Sequence, residues 1–435
     1  MNDSQTPLCV AIATPDYPPD PMGTGIGTYA KSLAEGLAQR GHRVHVVTRG
    51  PAGDAADEAG GVTIHRIGVP RPAIPTTITP FAFVGLAARS IAGELRYRVR
   101  IAAALDGLVR HENVQLVEAA DSFVEALFYR AARHPTVPFV IRLHTPMSVA
   151  ERFDRNFPEP ARRLLQSIER IHVRRATHLS VPSPTPRHTF RAAMRLEGRP
   201  IEAVPNPPPA VHAARRAAAP APDVVTEAGG EAGAEAGTDA GDDPNRPEVL
   251  YVGRITAVKG VFVLADAIPN VLAKVPEARF RFVGADSPSS SGTGTTVEAL
   301  KRRLPPSVAD RVVFEGRAPL ERVGAYLERA SVCVFPSLFE NFPYTCLEAM
   351  AAGKAIVGSA EGGMRDMLDG GRCGLLYRPP DVSELADAVV ALLVDHDLRV
   401  RLGAAARRRA EDAYGERRIF DATLAFYRRA IESLA

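Results

Sequence analysis

The chain has 435 residues, 46% of them hydrophobic and 24% charged, which is the composition of a globular protein long enough for two or three domains. Its formal net charge of +3 removes any global demand for a nucleic-acid partner. Four cysteines, Cys9, Cys333, Cys346 and Cys373, lie without CxxC spacing, which argues against a zinc site and a disulfide framework. The opening MNDSQTPLCVAIATPD has neither the basic start nor the apolar stretch of a signal peptide. No apolar run approaches the roughly 20 residues that span a bilayer, so a cytoplasmic protein is expected.

In chain order, LCVAIAT, HRVHVVT, VTIHRI, VQLVEAA, PFVIRLH, THLSVPS and IEAVPN read as short apolar strands. Between them TYAKSLAEGLAQRG spaces its apolar residues near 3.6 and stops at Gly41. Strand–helix alternation with runs this apolar predicts a parallel sheet covered on both faces. Residues 213–247 are dominated by Ala, Gly, Glu, Asp and Pro with almost nothing large to bury, so a disordered linker is expected there. Alternation then resumes with EVLYVGRI, the helical GVFVLADAIPNVLAKV, ARFRFVGAD, RVVFEGR, ASVCVFPS, AIVGS and CGLLY, and FDATLAFYRRAIESL closes the chain as an amphipathic helix. The expected division is an α/β domain over 1–212, a linker over 213–247, a second α/β domain over 248–413, and a final helix over 414–435. Ligands of open α/β sheets bind at the carboxyl edges of the strands, so a cleft between two such edges is the expected site.

Several strand ends carry chemistry. PMGTGIGTYAKSL follows the first strand and opens a helix; Gly25 and Gly27 permit close backbone approach and the helix start favours an anion. The run does not complete GxGxxG, because Ala30 holds the third position, and VHVVTRG supplies no acid for a ribose, so a dinucleotide dehydrogenase fits poorly. YVGRITAVKG sets Arg254 and Lys259 just beyond a strand, where a planar fork and a point charge can share a diphosphate. LFENFPYTCLEAMAAG places Glu340 on a loop and Glu348 on the helix that Gly353 stops. Two carboxylates beside a phosphate site need hydroxyl partners, such as a ribose and a hexose. AEGGMRDML brings Gly362 and Gly363 to the next strand end, and FVIRLHTP ends a strand at His144. ARRLLQSIERIHVRRA can align Arg163, Arg170 and Arg174 beside Leu164, Leu165, Ile168 and Ile171, as a basic amphipathic surface for anionic lipid or as an ordinary solvated face.

Together these stretches resemble the retaining glycosyltransferases of family 4, of GT-B fold, over nearly the whole chain. The most specific part is the E-x7-E signature ENFPYTCLE; GTGIGTY, VGR…KG, His144, VPNP at 204–207 and the late GG pair support it. The resemblance implies two Rossmann-like domains facing a cleft, with the final helix crossing back to the first. It implies transfer of a hexose from a UDP-, GDP- or ADP-sugar to a hydroxyl acceptor, lipid-linked acceptors included, with retention of configuration. Arg254 and Lys259 would bind the diphosphate, Glu348 the ribose hydroxyls and Glu340 those of the sugar. Gly25, Gly27 and the backbone of 341–345, with Asn341, Phe342 and Thr345, would complete the donor cradle, and His144 would face the anomeric carbon. No cofactor and no metal are expected, since no DxD run ends a strand. Thr24 and Asp366 depart from the family pattern, which often has Gly and Glu there. A sugar phosphorylase, a nucleotide-sugar epimerase and a catalytically silent subunit remain as alternatives.

Overall fold

The computed structural model describes residues 6–18, 25–51, 53–68, 80–152, 158–208, 246–289 and 294–435. The chain divides into two units, Met1–Pro209 with Tyr414–Ala435, and Ala210–Ala413. The linker expected over 213–247 lies outside the described residues except for its last two positions.

The first unit is built on eight strands, β1 (Cys9–Thr14), β2 (Arg43–Gly50), β3 (Ala55–Ala59), β4 (Val62–Gly68), β5 (Leu116–Ala120), β6 (Phe139–Arg142), β7 (His178–Val181) and β8 (Glu202–Ala203). They lie in the order β3-β4-β2-β1-β5-β6-β7-β8, all parallel except the β3–β4 pair. Every residue of β1 is buried, as a parallel strand covered on both faces requires. Without β3 this is the doubly-wound order, which reverses direction between β1 and β5. The sequence pattern gives no sign of β3. Its residues AADEA are all exposed, and it is held as an edge strand by antiparallel pairing with β4 and by the Asp57–Arg66 ion pair at 3.0 Å.

The helices of this unit are α1 (Gly25–Ala38), α2 (Pro80–His111), α3 (Met147–Ala150), α4 (Glu159–Arg174) and α5 (Arg187–Met194). Gly41, at φ +83°, turns the chain from α1 into β2 in a conformation that costs glycine little. Along α2, Tyr97, Ile101, Leu105 and Leu108 are buried at helical spacing and face the core.

The second unit has six strands, β9 (Glu248–Val252), β10 (Arg279–Val283), β11 (Val312–Gly316), β12 (Val332–Phe335), β13 (Ala355–Ser359) and β14 (Leu375–Tyr377). All are parallel in the order β11-β10-β9-β12-β13-β14, and the direction reverses between β9 and β12. The helices are α6 (Val261–Leu272), α7 (Thr296–Arg303), α8 (Leu320–Arg329), α9 (Tyr344–Ala351), α10 (Met364–Met367), α11 (Val382–Val394) and α12 (His396–Tyr414). Val249, Phe280, Phe282, Val332, Val334 and Val357 of the strands share one core with α6 and α11. Each fully buried side chain of this kind contributes about 1.5–3 kcal/mol.

The last helix, α13 (Glu416–Glu432), packs on the first unit. The Arg40 guanidinium lies 3.9 Å over the Phe420 ring, and a Cβ at Gly36 would run into that ring. Tyr427 donates to Glu118 Oε2 at 2.8 Å, while Tyr29 of α1 donates to Glu118 Oε1 at 2.6 Å. A buried carboxylate is thus satisfied from two sides, and its pKa is still raised by burial.

Candidate functional site

In the second unit the loops after β9, β12 and β13 meet at the reversal point. Lys259 ends a single turn, Ala257–Lys259, and Gly260 follows at φ +70°. A Cβ on Gly260 would fall on the Pro336 carbonyl oxygen, so only glycine allows the β9 loop to lie against the β12 loop. Leu338 N–H donates to the Val258 carbonyl at 2.9 Å and joins the same two loops. That packing brings Lys259 Nζ onto Glu340 Oε2 as a partly buried ion pair.

Glu340 is held from its other side as well. Gly363 N–H donates to the Glu340 carbonyl at 2.8 Å, and a Cβ on Gly362, φ +71°, would strike that carbonyl. The late glycine pair therefore makes room for the chain's own Glu340 backbone. Asn341 and Phe342 are buried behind Glu340, while Thr345 and Glu348 are half-buried on α9. Arg254 is exposed on the same loop as Lys259. Beneath it Tyr251 OH donates to the Arg254 carbonyl at 2.7 Å; burial and then the Glu340 charge raise its pKa. The structure thus brings Lys259 and Glu340 into contact, with Arg254 and Glu348 on the loops and helix that carry them.

In the first unit, His144 lies two residues past β6, and its N–H donates to Asp121 Oδ1 at 3.0 Å. The imidazole meets the Tyr29 ring edge-on at 4.8 Å. Burial, then the Arg142 charge, lowers its pKa to about 3, so the ring is neutral at physiological pH. Arg142 is itself buried, with Nε 3.0 Å from Asn206 Oδ1 and Nη2 bonded to the Val204 carbonyl. Residues of the VPNP run therefore anchor the arginine beneath the histidine.

Gly25 has open space where a Cβ would be, but a Cβ on Gly27 would lie 2.6 Å from the buried Asp16 carboxylate. The anion that approaches Gly27 in this structure is thus the chain's own. Asp16, Tyr29, Asp121, Arg142 and Asn206 were not singled out as site residues in the sequence. Their roles depend on which strand ends are neighbours, which no local pattern states.

On α4, Arg163 Nε pairs with Glu159 at 2.7 Å, while Arg170 Nε donates to the Ala193 carbonyl at 3.1 Å. Of the three arginines expected in a stripe, Arg163 and Arg174 are exposed and Arg170 is half-buried. Leu164 and Ile171 are 62% and 50% exposed. Among the described residues, no helix is long and apolar enough to cross a membrane.

Two Rossmann-like parallel sheets with this strand order define the GT-B class. Residues 24–207 match the family described as glycosyl transferase 4-like domain, and residues 246–395 match glycosyl transferases group 1. The chain is similar to a D-inositol 3-phosphate glycosyltransferase of Corynebacterium jeikeium (strain K411), 35% identical over 163 residues, 37% of this chain and 38% of the relative. It is also similar to the alpha-D-kanosaminyltransferase of Streptomyces kanamyceticus, 27% identical over 378 residues, 86% of this chain and 91% of the relative. Among solved structures, sucrose-phosphate synthase from Thermosynechococcus elongatus superposes with a TM-score of 0.70 at 20% identity, covering 98% of this chain and 100% of that chain. The matches to the inositol-phosphate enzymes span less than half the length of those relatives. The chain belongs to glycosyltransferase family 4.

Proposed function

We propose that the protein is a retaining, metal-independent glycosyltransferase that moves a hexose from a nucleoside-diphosphate sugar to a hydroxyl acceptor. The observation that carries this reading is the Lys259–Glu340 pair at the reversal point of the second sheet, where open α/β sheets take their ligands. Lys259 and Arg254 bind the diphosphate of a UDP-, GDP- or ADP-sugar. Glu348 accepts hydrogen bonds from the ribose hydroxyls and Glu340 from the hydroxyls of the transferred sugar. Asn341, Phe342 and Thr345 shape the donor cradle. No cofactor enters.

Glycosyl transfer develops positive charge on the sugar ring and negative charge on the departing diphosphate. Two cations fixed at the diphosphate stabilise that charge where it forms, and losing one donor of this kind costs on the order of 3 kcal/mol. The acceptor attacks from the face the diphosphate leaves, which retains configuration. His144, neutral because it is desolvated, offers the sugar a hydrogen bond near the anomeric carbon without adding a like charge. By the name of one relative, D-inositol 3-phosphate is a candidate acceptor, beside glycans and lipid-linked glycans.

A peripheral contact with the inner face of the membrane is a second reading. Leu164 and Ile171, seven residues apart on α4, are exposed together with Arg163 and Arg174, as an interfacial helix on anionic lipid requires. Flotation with anionic vesicles, lost in a Leu164→Ser, Ile171→Ser protein, tests it.

Calorimetric titration with UDP, GDP and ADP tests the donor site. Binding of one of them, weakened by Glu348→Ala, is expected; binding of none would favour the silent-subunit alternative. Transfer to inorganic phosphate in place of a hydroxyl would favour a phosphorylase.

A further inference from the structure

We infer that Phe123 is the platform on which the ring of the acceptor stacks, a six-membered cyclic polyol or sugar. The inference rests on the glycosyl-transfer reading above and assigns an acceptor residue within it. In the first sheet the strand order reverses between β1 and β5, so the loop after β5 borders the crevice where such a sheet takes a ligand. That loop begins with Asp121, fully buried, whose Oδ1 receives the His144 N–H at 3.0 Å. Ser122 Oγ donates to the Thr145 carbonyl at 3.0 Å, and Arg98 Nη2 donates to the Phe123 carbonyl at 2.8 Å.

Beyond them the Val124 carbonyl accepts the Leu127 N–H at 3.1 Å, and within this fastened stretch the backbone is left-handed at two successive residues, Phe123 at φ +65° and Val124 at φ +47°. Both positions suit glycine or asparagine; a phenylalanine and a β-branched valine are poorly suited to them. Core packing does not explain the choice, because Phe123 remains 45% exposed. A single exposed aromatic residue is ordinary. Here a strained backbone, fixed on both sides, holds one at the ligand edge of the sheet, and such strain gathers at functional positions.

The aromatic face matches the C–H face of a saturated six-membered ring. The hydroxyls of that ring remain free for polar partners, and His144 is held by the same Asp121 that opens the loop. Acceptor ring and His144 are thus set in one frame.

The test uses the full chain with UDP-, GDP- and ADP-glucose as donors and myo-inositol and D-glucose as probe acceptors. Nucleotide release is read with and without each probe. In the wild type, at least one probe is expected to accelerate release above the rate in water alone. Phe123→Asn suits the left-handed backbone and should melt within about 3 °C of the wild type. It should release nucleotide into water at the wild-type rate, with KM for the probe about tenfold higher from loss of the stacking contact. Phe123→Tyr keeps the ring face and should restore the wild-type KM. Unchanged probe kinetics in Phe123→Asn would overturn the inference. So would an equal fall in release with water and with probe, which marks a merely structural residue, and so would a wild type that accepts neither probe while releasing nucleotide. Absence of nucleotide release from all three donors, with no nucleotide binding, would instead overturn the glycosyl-transfer reading.

Discussion

Lys259 and Glu340 are partners across 81 residues of sequence, supplied by loops that follow two different strands of one sheet. Each side chain keeps the other from being a lone, half-buried charge. On the proposed reading an arriving diphosphate takes Lys259 and frees Glu340 for the sugar hydroxyls. The two single substitutions should then separate. Lys259→Ala removes a cation and leaves a carboxylate facing the phosphates, so nucleotide affinity should fall about 100-fold, on the order of 3 kcal/mol. Glu340→Ala should lower turnover by about 100-fold while leaving nucleotide affinity unchanged or tighter, since Lys259 no longer has to change partners. Calorimetry beside single-turnover kinetics checks both, and equal loss of affinity and turnover in Glu340→Ala would contradict its role.

Gly260 and Gly362 hold the frame around that pair. Gly260→Ala places a Cβ on the Pro336 carbonyl, and Gly362→Ala places one on the Glu340 carbonyl, both at positive φ. The opposing atoms are backbone and cannot rotate away. Each substitution should cost about 3 kcal/mol or more through strain and loop displacement. The expected result is a lower melting temperature together with weaker nucleotide binding. Gly25→Ala meets open space and serves as the control that should leave stability unchanged.

The strands and the second-unit motifs were legible because their signals are local. β1 and β9 are buried along their whole lengths, so they appear in the sequence as continuous apolar runs. Arg254 with Lys259, and Glu340 with Glu348, each lie within one loop or one loop and its helix. What could not be read was contact between loops, such as Lys259 on Glu340 or Asp121 on His144, because that depends on strand order. The glycines show the same limit. Gly27 and Gly362 read as room for a ligand, yet the atoms that fill that room are Asp16 and Glu340 of the same chain. The edge strand β3 left no trace because AADEA carries none of the branched or aromatic residues that favour strands. The helical spacing of Tyr97, Ile101, Leu105 and Leu108 in α2, all buried, is by contrast a local signal that the sequence carries.

His144 is held neutral by burial, with its pKa lowered to about 3. Turnover should therefore show no imidazole titration between pH 5 and 8. Replacement by asparagine should lower turnover at every pH without altering the shape of the profile. A bell limb near pH 6.5 that vanishes in His144→Asn would show that the ring titrates during the reaction, against the neutral role assigned to it.

Glu169 gives a pH dependence to stability itself. It is buried on α4, with Oε1 accepting the Met147 N–H at 2.6 Å and Oε2 that of Ser148 at 3.2 Å. Burial, then the Asp121 charge, raises its pKa from the ordinary 4.5 to about 8. Between these values the native chain holds a proton that the unfolded chain has released. The contribution is therefore fully present below pH 4.5 and is lost as pH rises towards 8, at up to about 1.4 kcal/mol per pH unit. His172 acts with the opposite sign, since its pKa is lowered from 6.5 to about 4; its contribution is present above pH 6.5 and lost as pH falls. Glu169→Gln keeps the shape of the side chain and cannot ionise. Urea midpoints measured at pH 5, 6.5 and 8 should fall less steeply across this range in Glu169→Gln than in the wild type. Parallel curves would mean that Glu169 ionises normally in the folded protein.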